Sequence, residues 1–375
     1  ATLEPTDVIR GVVGGRDGYA ALIAALAAFG FVEDLAATDA LAAWPYDWRQ
    51  DLRKTADGLA AFVDGQLGDS DEVVLIAHGA GGLIARNMLE SGRHARLKRL
   101  TKITTLITLA TPHLGAPIAL WRLLNGEGAA TLTPGDFARL ADDPRYPALH
   151  QLAPAPQARA IWDGADRLRP LNLYDAEAQA TLRGRARGLN AEQMERARAF
   201  WAETSFAKRP RSVRYVAIAG GALSAVAHLT REAGETRAAW GEGDGVHPLW
   251  SAAPAPAMQT IVAGGEHGTL FDDPTVLAAL GALIAAGDVD HRAERAGDLR
   301  AAARRQRLCD PGGTLRRRRP GALTARKREE RNDAHGSRFE GQTRHRLRGE
   351  QGAGPRLRLR PRPRRRRGDD QRPRR

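Results

Sequence analysis

The chain has 375 residues, of which 42% are hydrophobic and 5% aromatic, and its formal net charge is +13 at pH 7. This length accommodates one large domain or two ordinary ones. The longest weakly polar stretch, residues 19–32, is shorter than the roughly 18 apolar residues that cross a bilayer, so the sequence predicts a core helix there and no transmembrane segment.

Cysteine usage gives no support for secretion. The single cysteine, Cys309, lies near the C-terminal end, so no intrachain disulfide can form. The segment that begins at Ala1 is polar and does not resemble a signal peptide. By default we expect a soluble, cytoplasmic protein whose natural N-terminus lies further upstream.

Residues 6–287 alternate short β-rich runs with helical patterns, which predicts βα units around a mainly parallel sheet. The clearest strand is 72–76, where Val73 to Ile76 form a continuous apolar run typical of a strand covered on both faces. Further strands are predicted at 103–109, 213–219 and 258–262, and helices at 83–90, 191–200 and 273–286.

Between Gly115 and Arg211 we find no strand signals, and the sequence is rich in Ala, Arg, Leu and Pro. A helical insertion of this size between two strands has the dimensions of a cap, and we expect it over the carboxyl ends of the strands. We therefore predict an α/β core at 1–114 and 212–290, a helical cap at 115–211 and a tail at 291–375.

The basic charge belongs to the tail. Residues 292–375 hold 29 Lys+Arg and 10 Asp+Glu, which leaves 28 and 34 for the rest of the chain. The tail lacks Val, Ile, Trp, Tyr and Met, so it cannot bury enough apolar surface to offset chain entropy, and we expect disorder. Two interpretations stay open: a basic arm for nucleic acid or an anionic membrane surface, and out-of-frame translation of a GC-rich gene.

Five segments, each weak alone, form a specific signal in combination. They are Trp-Pro-Tyr-Asp-Trp-Arg at 44–49, Ala-His-Gly-Ala-Gly-Gly at 77–82, Thr-Pro-His-Leu-Gly-Ala-Pro at 111–117, Gly-Asp-Gly-Val-His-Pro at 243–248 and Glu-His-Gly at 266–268. In this order they resemble the lecithin–cholesterol acyltransferase family over roughly residues 6–286. The resemblance implies an α/β-hydrolase fold, lipid O-acyltransferase or phospholipase/esterase ancestry, a lipid or acyl-ester ligand, and neither cofactor nor metal.

The nucleophile is missing from the segment that should carry it. The family pattern Ala-His-Ser-Met-Gly-Gly becomes Ala-His-Gly-Ala-Gly-Gly here, so Gly79 stands in the place of the serine. Neither Ala80 nor Gly81 can attack an ester. The elbow strains an ordinary residue by on the order of 1–3 kcal/mol, which glycine avoids. We expect the turn to relax and the fold to survive while serine chemistry, worth roughly 10⁶-fold, is lost.

The other two members of a catalytic triad follow in the hydrolase order. The resemblance implies that Asp244 orients the imidazole and that His267 acts as general base and then acid. We expect their side chains about 2.6–3.2 Å apart, with His267 facing Gly79. Taken alone, each residue also fits a structural role, a turn aspartate and a surface-loop histidine.

The remaining histidines of these segments have structural interpretations. We expect His78 and His113 to serve in packing or hydrogen bonding. His247 departs from the family pattern Gly-Asp-Gly-Thr-Val-Pro, and we expect it in a surface loop.

Four residues are candidates for the cleft. Asp47 and Arg49 are expected to anchor a loop beside it. Trp48 and Trp121 are candidate substrate-binding residues, with core packing as the alternative for Trp121.

The oxyanion hole is also expected to be incomplete. The backbone N–H of Ala80 is one predicted donor. In the family the second donor lies in a Gly-rich loop upstream, and this chain begins too late to contain it convincingly. Residues 11–18 are Gly-rich, but Val-Ile-Arg-Gly at 8–11 precedes them and resembles the family's region after that loop. One missing donor costs on the order of 10²–10³ in rate, so we expect Gly79→Ser alone to restore little turnover.

Three functions stay open from the sequence. The first is an inactive or fragmentary acyl-ester enzyme. The second is a protein that binds a lipid or acyl ester without turnover. The third is binding of nucleic acid or a membrane surface through the basic tail.

Overall fold

The computed structural model describes residues 5–8, 10, 18–37, 39–66, 72–128, 132–164, 169–182, 189–232, 235–254 and 258–287. All of these residues belong to one compact unit, Ala1–Leu315, and none to the second unit, Arg316–Arg375. The predicted tail at 291–375 therefore lies outside the described residues, and both interpretations of it stay predictions.

Helices and strands alternate along most of the described chain. The helices are α1 Ala20–Ala28, α2 Leu52–Gln66, α3 Ala80–Glu90, α4 Pro117–Asn125, α5 Pro134–Asp142, α6 Ala148–Gln151, α7 Ala176–Thr181, α8 Ala191–Glu203, α9 Leu249–Ala252 and α10 Pro274–Gly287. The strands are β1 Val73–His78, β2 Ile103–Leu109, β3 Ile161–Asp163, β4 Arg169–Pro170, β5 Arg214–Gly220, β6 Leu223–Glu232, β7 Glu235–Gly243 and β8 Gln259–Ala263. Within the described ranges, no helix has both the length and the apolar content needed to cross a bilayer.

The central sheet has the order β1-β2-β5-β8, and all three neighbouring pairs are parallel. Its strands are the four that the sequence predicts, displaced by no more than two residues at either end. The α/β fold class with a mainly parallel sheet is therefore confirmed.

Both faces of this sheet are covered by helices, as strand β5 illustrates. Tyr215 and Ala217 point into an apolar cluster with residues of α2, α3 and α8. The alternate residues Val216 and Ile218 point into a second cluster with residues of α1 and α10. Because successive side chains point to opposite faces, a strand buried on both sides needs a continuous apolar run.

A second sheet, with the order β4-β3-β6-β7, was not predicted. Strands β6 and β7 lie between β5 and β8 in the sequence, and they pair antiparallel with each other. Strand β3 pairs with β6 in parallel. Two of its strands, β3 and β4, come from the 115–211 insertion, so the expectation that this insertion lacks strands is wrong. The reason is compositional: these strands are two or three residues long, and the β6–β7 segments are rich in Ala, Gly and Glu, which have low β propensity.

The insertion begins at the carboxyl end of β2, and its last helix packs into the core. In α8, Phe200 and Trp201 are buried in the cluster that also holds residues of α2 and α3. At the end of α8, Glu203 forms an ion pair with Arg53 of α2. This end of the insertion is thus part of the layer that covers the sheet, and the division into core and cap stays a prediction.

Two adjacent glycines in the first turn of α3 differ in what a side chain would meet. A Cβ at Gly82 would lie 2.1 Å from Thr111 Oγ1 and 2.8 Å from Thr111 Cβ, and Thr111 is buried. Outside the helix backbone and the two chain neighbours, the nearest described atom to a Cβ at Gly81 would be the Tyr46 hydroxyl oxygen, at 3.5 Å.

We expect Gly82→Ala to lower the free energy of unfolding by about 1–3 kcal/mol, because the packed Thr111 must shift. Gly81→Ala should leave it unchanged or raise it by up to about 1 kcal/mol through helix propensity. Urea unfolding of the two variants measures the difference. Equal effects would contradict the close contact between α3 and Thr111.

Candidate functional site

A single residue, Gly79, separates strand β1 from helix α3. Its backbone has φ 54° and ψ −126°, a conformation that strains residues with a side chain but not glycine. The Gly79 N–H donates to the Leu109 carbonyl at 2.9 Å, and the Gly79 carbonyl accepts from the Gly82 N–H at 3.2 Å. The turn thus retains the sharp shape of a nucleophile elbow. The glycine therefore relieves the backbone strain of the elbow, as expected, but it does not change the conformation of the turn.

Asp244 and His267 form a hydrogen-bonded pair. His267 Nδ1 donates to Asp244 Oδ2 at 2.9 Å, and the His267 backbone N–H donates to the Asp244 carbonyl at 2.8 Å. The other carboxylate oxygen accepts the backbone N–H groups of Val246 at 2.9 Å and His247 at 2.6 Å. This pairing places the proton of the neutral His267 ring on Nδ1 and leaves Nε2 with a free lone pair.

The Asp244 carboxylate is fully buried yet stays ionised. Burial by itself would raise the pKa of Asp244. The hydrogen bond from His267, the favourable electrostatic interaction with the His247 and His267 rings, and the backbone N–H of His247 together outweigh burial and hold that pKa below its ordinary value. An ionised carboxylate next to the imidazole can stabilise its cation.

His267 faces the position where the serine is missing. A Cβ built on Gly79 would lie 3.5 Å from both Cε1 and Nε2 of His267. The N–H of Ala80 begins α3, where the first N–H groups have no partner within the helix. The structure therefore brings Gly79, Ala80, Asp244 and His267 together at the carboxyl edge of the central sheet.

His78 binds the backbone of the loop that carries His267. Its Nε2 donates to the His267 carbonyl at 2.9 Å, and its Nδ1 accepts from the Tyr19 hydroxyl at 2.9 Å. Burial, aided by repulsion from His267, lowers the pKa of His78 to about 3, so the ring is neutral at pH 7. This is the hydrogen-bonding role that the sequence predicts.

His247 is not the surface-loop residue that was expected. It is 7% exposed, its Nδ1 donates to the Ala110 carbonyl at 2.9 Å, and its ring stands nearly perpendicular to His267 with the centroids 4.5 Å apart. The bridge between Gly243 and Pro248 folds the turn back and carries His247 inward. Burial, with repulsion from His267, lowers the pKa of His247 to about 3.

Three potential metal ligands meet at this site. Among the described residues, Asp244, His247 and His267 offer one ligand atom each within 4.8 Å of one another. The Nδ1 atoms of both histidines are already engaged, one with the Asp244 carboxylate and the other with the Ala110 carbonyl. The observed geometry is that of a hydrogen-bonded Asp–His pair supported by a second imidazole.

A buried ion pair fixes the 111–117 turn, and sequence reasoning missed it. Arg86 and Glu90 pair at 2.9 Å with their side chains 1% and 0% exposed, and Arg86 Nη1 donates to the His113 carbonyl at 2.9 Å. The His113 ring is buried, with Nε2 2.9 Å from Thr108 Oγ1. The sequence does contain the pattern that indicates this ion pair, because Arg and Glu four residues apart lie on one face of a helix.

The remaining candidate residues have contacts of their own. Asp47 and Arg49 form an ion pair at 2.7 Å, which anchors their loop. Trp48 is 44% exposed, and Trp121 Nε1 donates to Glu127 at 3.0 Å. Within the described residues, no hydrogen bond or ring contact joins either tryptophan to His267, so their substrate-binding role stays a prediction. Residues 11–17 of the Gly-rich segment lie outside the described residues.

The parallel sheet and the strand–turn–helix elbow with positive φ define an α/β-hydrolase. Residues 6–138 match the family model described as lecithin:cholesterol acyltransferase. The predicted resemblance to this family is therefore confirmed over these residues, which include the elbow but end before Asp244 and His267.

The comparison with solved structures adds a distant likeness. The chain is similar to a chain of "The crystal structure of Tle4-Tli4 complex", with 15% sequence identity and a TM-score of 0.45. The likeness covers 63% of this chain and 66% of that chain, slightly less than two thirds of the latter's length. No curated protein matches the sequence.

The geometry predicts that a serine at position 79 would meet its base. We expect Gly79→Ser to react with a fluorophosphonate probe at position 79, because a Cβ fits there at van der Waals distance from His267. Adding His267→Ala to that variant should abolish labelling, since the base is removed. Mass spectrometry of the labelled peptide is the readout, with circular dichroism as the folding control. A folded Gly79→Ser protein that stays unlabelled would contradict this prediction.

The buried histidines predict a loss of stability in acid. His78 and His247 have pKa values near 3 in the folded chain, against an ordinary value of 6.5. Between pH 3 and pH 6.5, these two histidines therefore take up protons only when the chain is unfolded. Their contribution is complete above about pH 6.5 and declines as the pH falls towards 3, by up to about 1.4 kcal/mol per pH unit for each residue. Urea unfolding at about pH 7 and about pH 5 measures this loss, which His247→Gln should reduce. An identical pH dependence in this variant would contradict the low pKa of His247.

Proposed function

We propose that this chain is an acyl-ester-binding protein of lecithin:cholesterol acyltransferase ancestry that has lost acyl-enzyme chemistry. The observation that supports this most directly is Gly79 at a well-formed elbow, with His267 Nε2 directed at the missing side chain.

The chemical argument starts from what a serine would do. In a triad enzyme the serine oxygen attacks the ester carbonyl while the histidine takes its proton, and a covalent acyl-enzyme results. Glycine has no oxygen to attack with, and Ala80 and Gly81 supply none. Ser251 is engaged elsewhere, because its hydroxyl donates to the Gly115 carbonyl at 2.6 Å and accepts the Leu114 N–H at 3.1 Å.

The groups that would hold an ester are retained. We assign the Ala80 N–H, at the positive end of α3, to the ester carbonyl oxygen. His267, which Asp244 holds through Nδ1, comes within 3.5 Å of a Cβ at the neighbouring position 79. The family ancestry supports a lipid or acyl ester as the ligand. No described residue bears on binding through the basic tail, since the tail lies outside the described ranges.

We expect the native protein to bind a long-chain alkyl ketone, which keeps the ester's carbonyl but has no leaving group. Ala80→Pro should weaken this binding about fivefold, since it removes one hydrogen bond of about 1 kcal/mol at a helix position that tolerates proline. Isothermal titration calorimetry measures both affinities.

The native protein should also remain unlabelled by a fluorophosphonate and show no burst of product with a p-nitrophenyl ester. Gly79→Ser serves as the positive control for labelling. Covalent labelling of the native chain, or failure to bind the ketone, would refute the proposed function.

A further inference from the structure

Replacing serine by glycine leaves room beside the base. Among the described residues, and apart from Gly79 itself and its neighbours His78 and Ala80, the only heavy atoms within 4 Å of a Cβ on Gly79 are Cε1 and Nε2 of His267. A Cβ has ordinary van der Waals room there, and a water molecule, with a radius of about 1.4 Å, is smaller than the methyl group that such a Cβ represents. Its hydrogen-bond partner there is the Nε2 lone pair of His267.

We propose that His267 activates a water molecule at this place, and that this water hydrolyses the bound acyl ester directly, with no covalent intermediate. The proposal rests on the proposed function, because the ester must first bind with its carbonyl at Ala80. It gives the retained Asp244–His267 pair a chemical role that does not need the serine.

Each step balances in atoms and protons. The water oxygen forms a bond to the carbonyl carbon while one of its protons passes to His267 Nε2. The carbonyl π electrons move onto the oxygen that accepts the Ala80 N–H. Collapse of the tetrahedral intermediate breaks the bond to the alcohol oxygen, which takes the proton back from Nε2. The products are a carboxylic acid and an alcohol, and the protein is unchanged.

His267 is held in the orientation that this step requires. Asp244 fixes Nδ1 at 2.9 Å, His78 holds the His267 carbonyl at 2.9 Å, and the His247 ring packs at 4.5 Å between centroids. The ionised Asp244 offsets the positive charge that His267 acquires when it takes the proton. The imidazole therefore needs little reorganisation as the reaction proceeds.

The expected rate is modest. General-base catalysis by a positioned side chain contributes roughly 10²–10⁴-fold, whereas loss of the serine removes roughly 10⁶-fold. The activity should therefore exceed that of a protein without the base, yet remain far below that of a serine esterase.

The test compares four full-length proteins on p-nitrophenyl butyrate. We expect native protein and Gly65→Ala to hydrolyse the ester about 10²-fold faster than His267→Gln. Gly79→Ala should be as slow as His267→Gln, because its methyl group occupies the water's place 3.5 Å from Nε2. Gly65→Ala is the matched control, since Gly65 lies in α2 and a Cβ there meets no atom of the described residues within 4 Å beyond its own helix backbone and neighbours.

Each outcome has a defined meaning. Native activity that survives excess fluorophosphonate without a burst, and that falls in both variants, supports the proposal. If His267→Gln, or a folded Gly79→Ala, is as active as native protein, the proposal is overturned, while ketone binding still tests the proposed function separately. If the fluorophosphonate abolishes native activity, another nucleophile is at work and both proposals fail.

Discussion

The buried Asp244 carboxylate is the group on which the geometry of the site depends. Removing a carboxylate from water costs on the order of several kcal/mol unless donors satisfy it. Asp244 has three such donors: the His267 ring and the backbone N–H groups of Val246 and His247. These bonds fix the 244–248 turn and the loop after β8 relative to each other. Since Asp244 directly follows β7, the β6–β7 hairpin is what delivers the carboxylate to His267.

Two neutral histidines complete this arrangement without adding charge. His78 and His247 contact His267 from different sides, and burial lowers the pKa of each to about 3. At pH 7 they therefore restrain the His267 ring without repelling the cation it would form. None of these contacts involves the side chain of residue 79, so losing the serine leaves the Asp–His pair in place.

The sequence was informative where burial imposes a pattern and uninformative where it does not. The central strands follow from apolar runs, as in Val73 to Ile76, because a strand covered on both faces must be apolar throughout. Asp244 and His267 could be found from their motifs, although the hairpin that carries Asp244 could not, because its Ala-rich strands resemble loop or helix sequence. The burial of His247 depends on a turn that folds back on itself, and neither periodicity nor the family pattern contains that information.

The shape of the elbow is set by its surroundings and not by the residue at its tip. Gly79 is held by a hydrogen bond to the Leu109 carbonyl on β2, and the lack of a side chain at Gly82 lets α3 lie close to Thr111 of the 111–117 turn. The buried Arg86–Glu90 pair holds the same turn through the His113 carbonyl. A serine in this conformation carries on the order of 1–3 kcal/mol of strain, and glycine removes that strain while these contacts preserve the turn. Glycine in place of serine at position 79 therefore stabilises the elbow and removes the nucleophile. His267 still lies next to the position that the serine side chain would occupy.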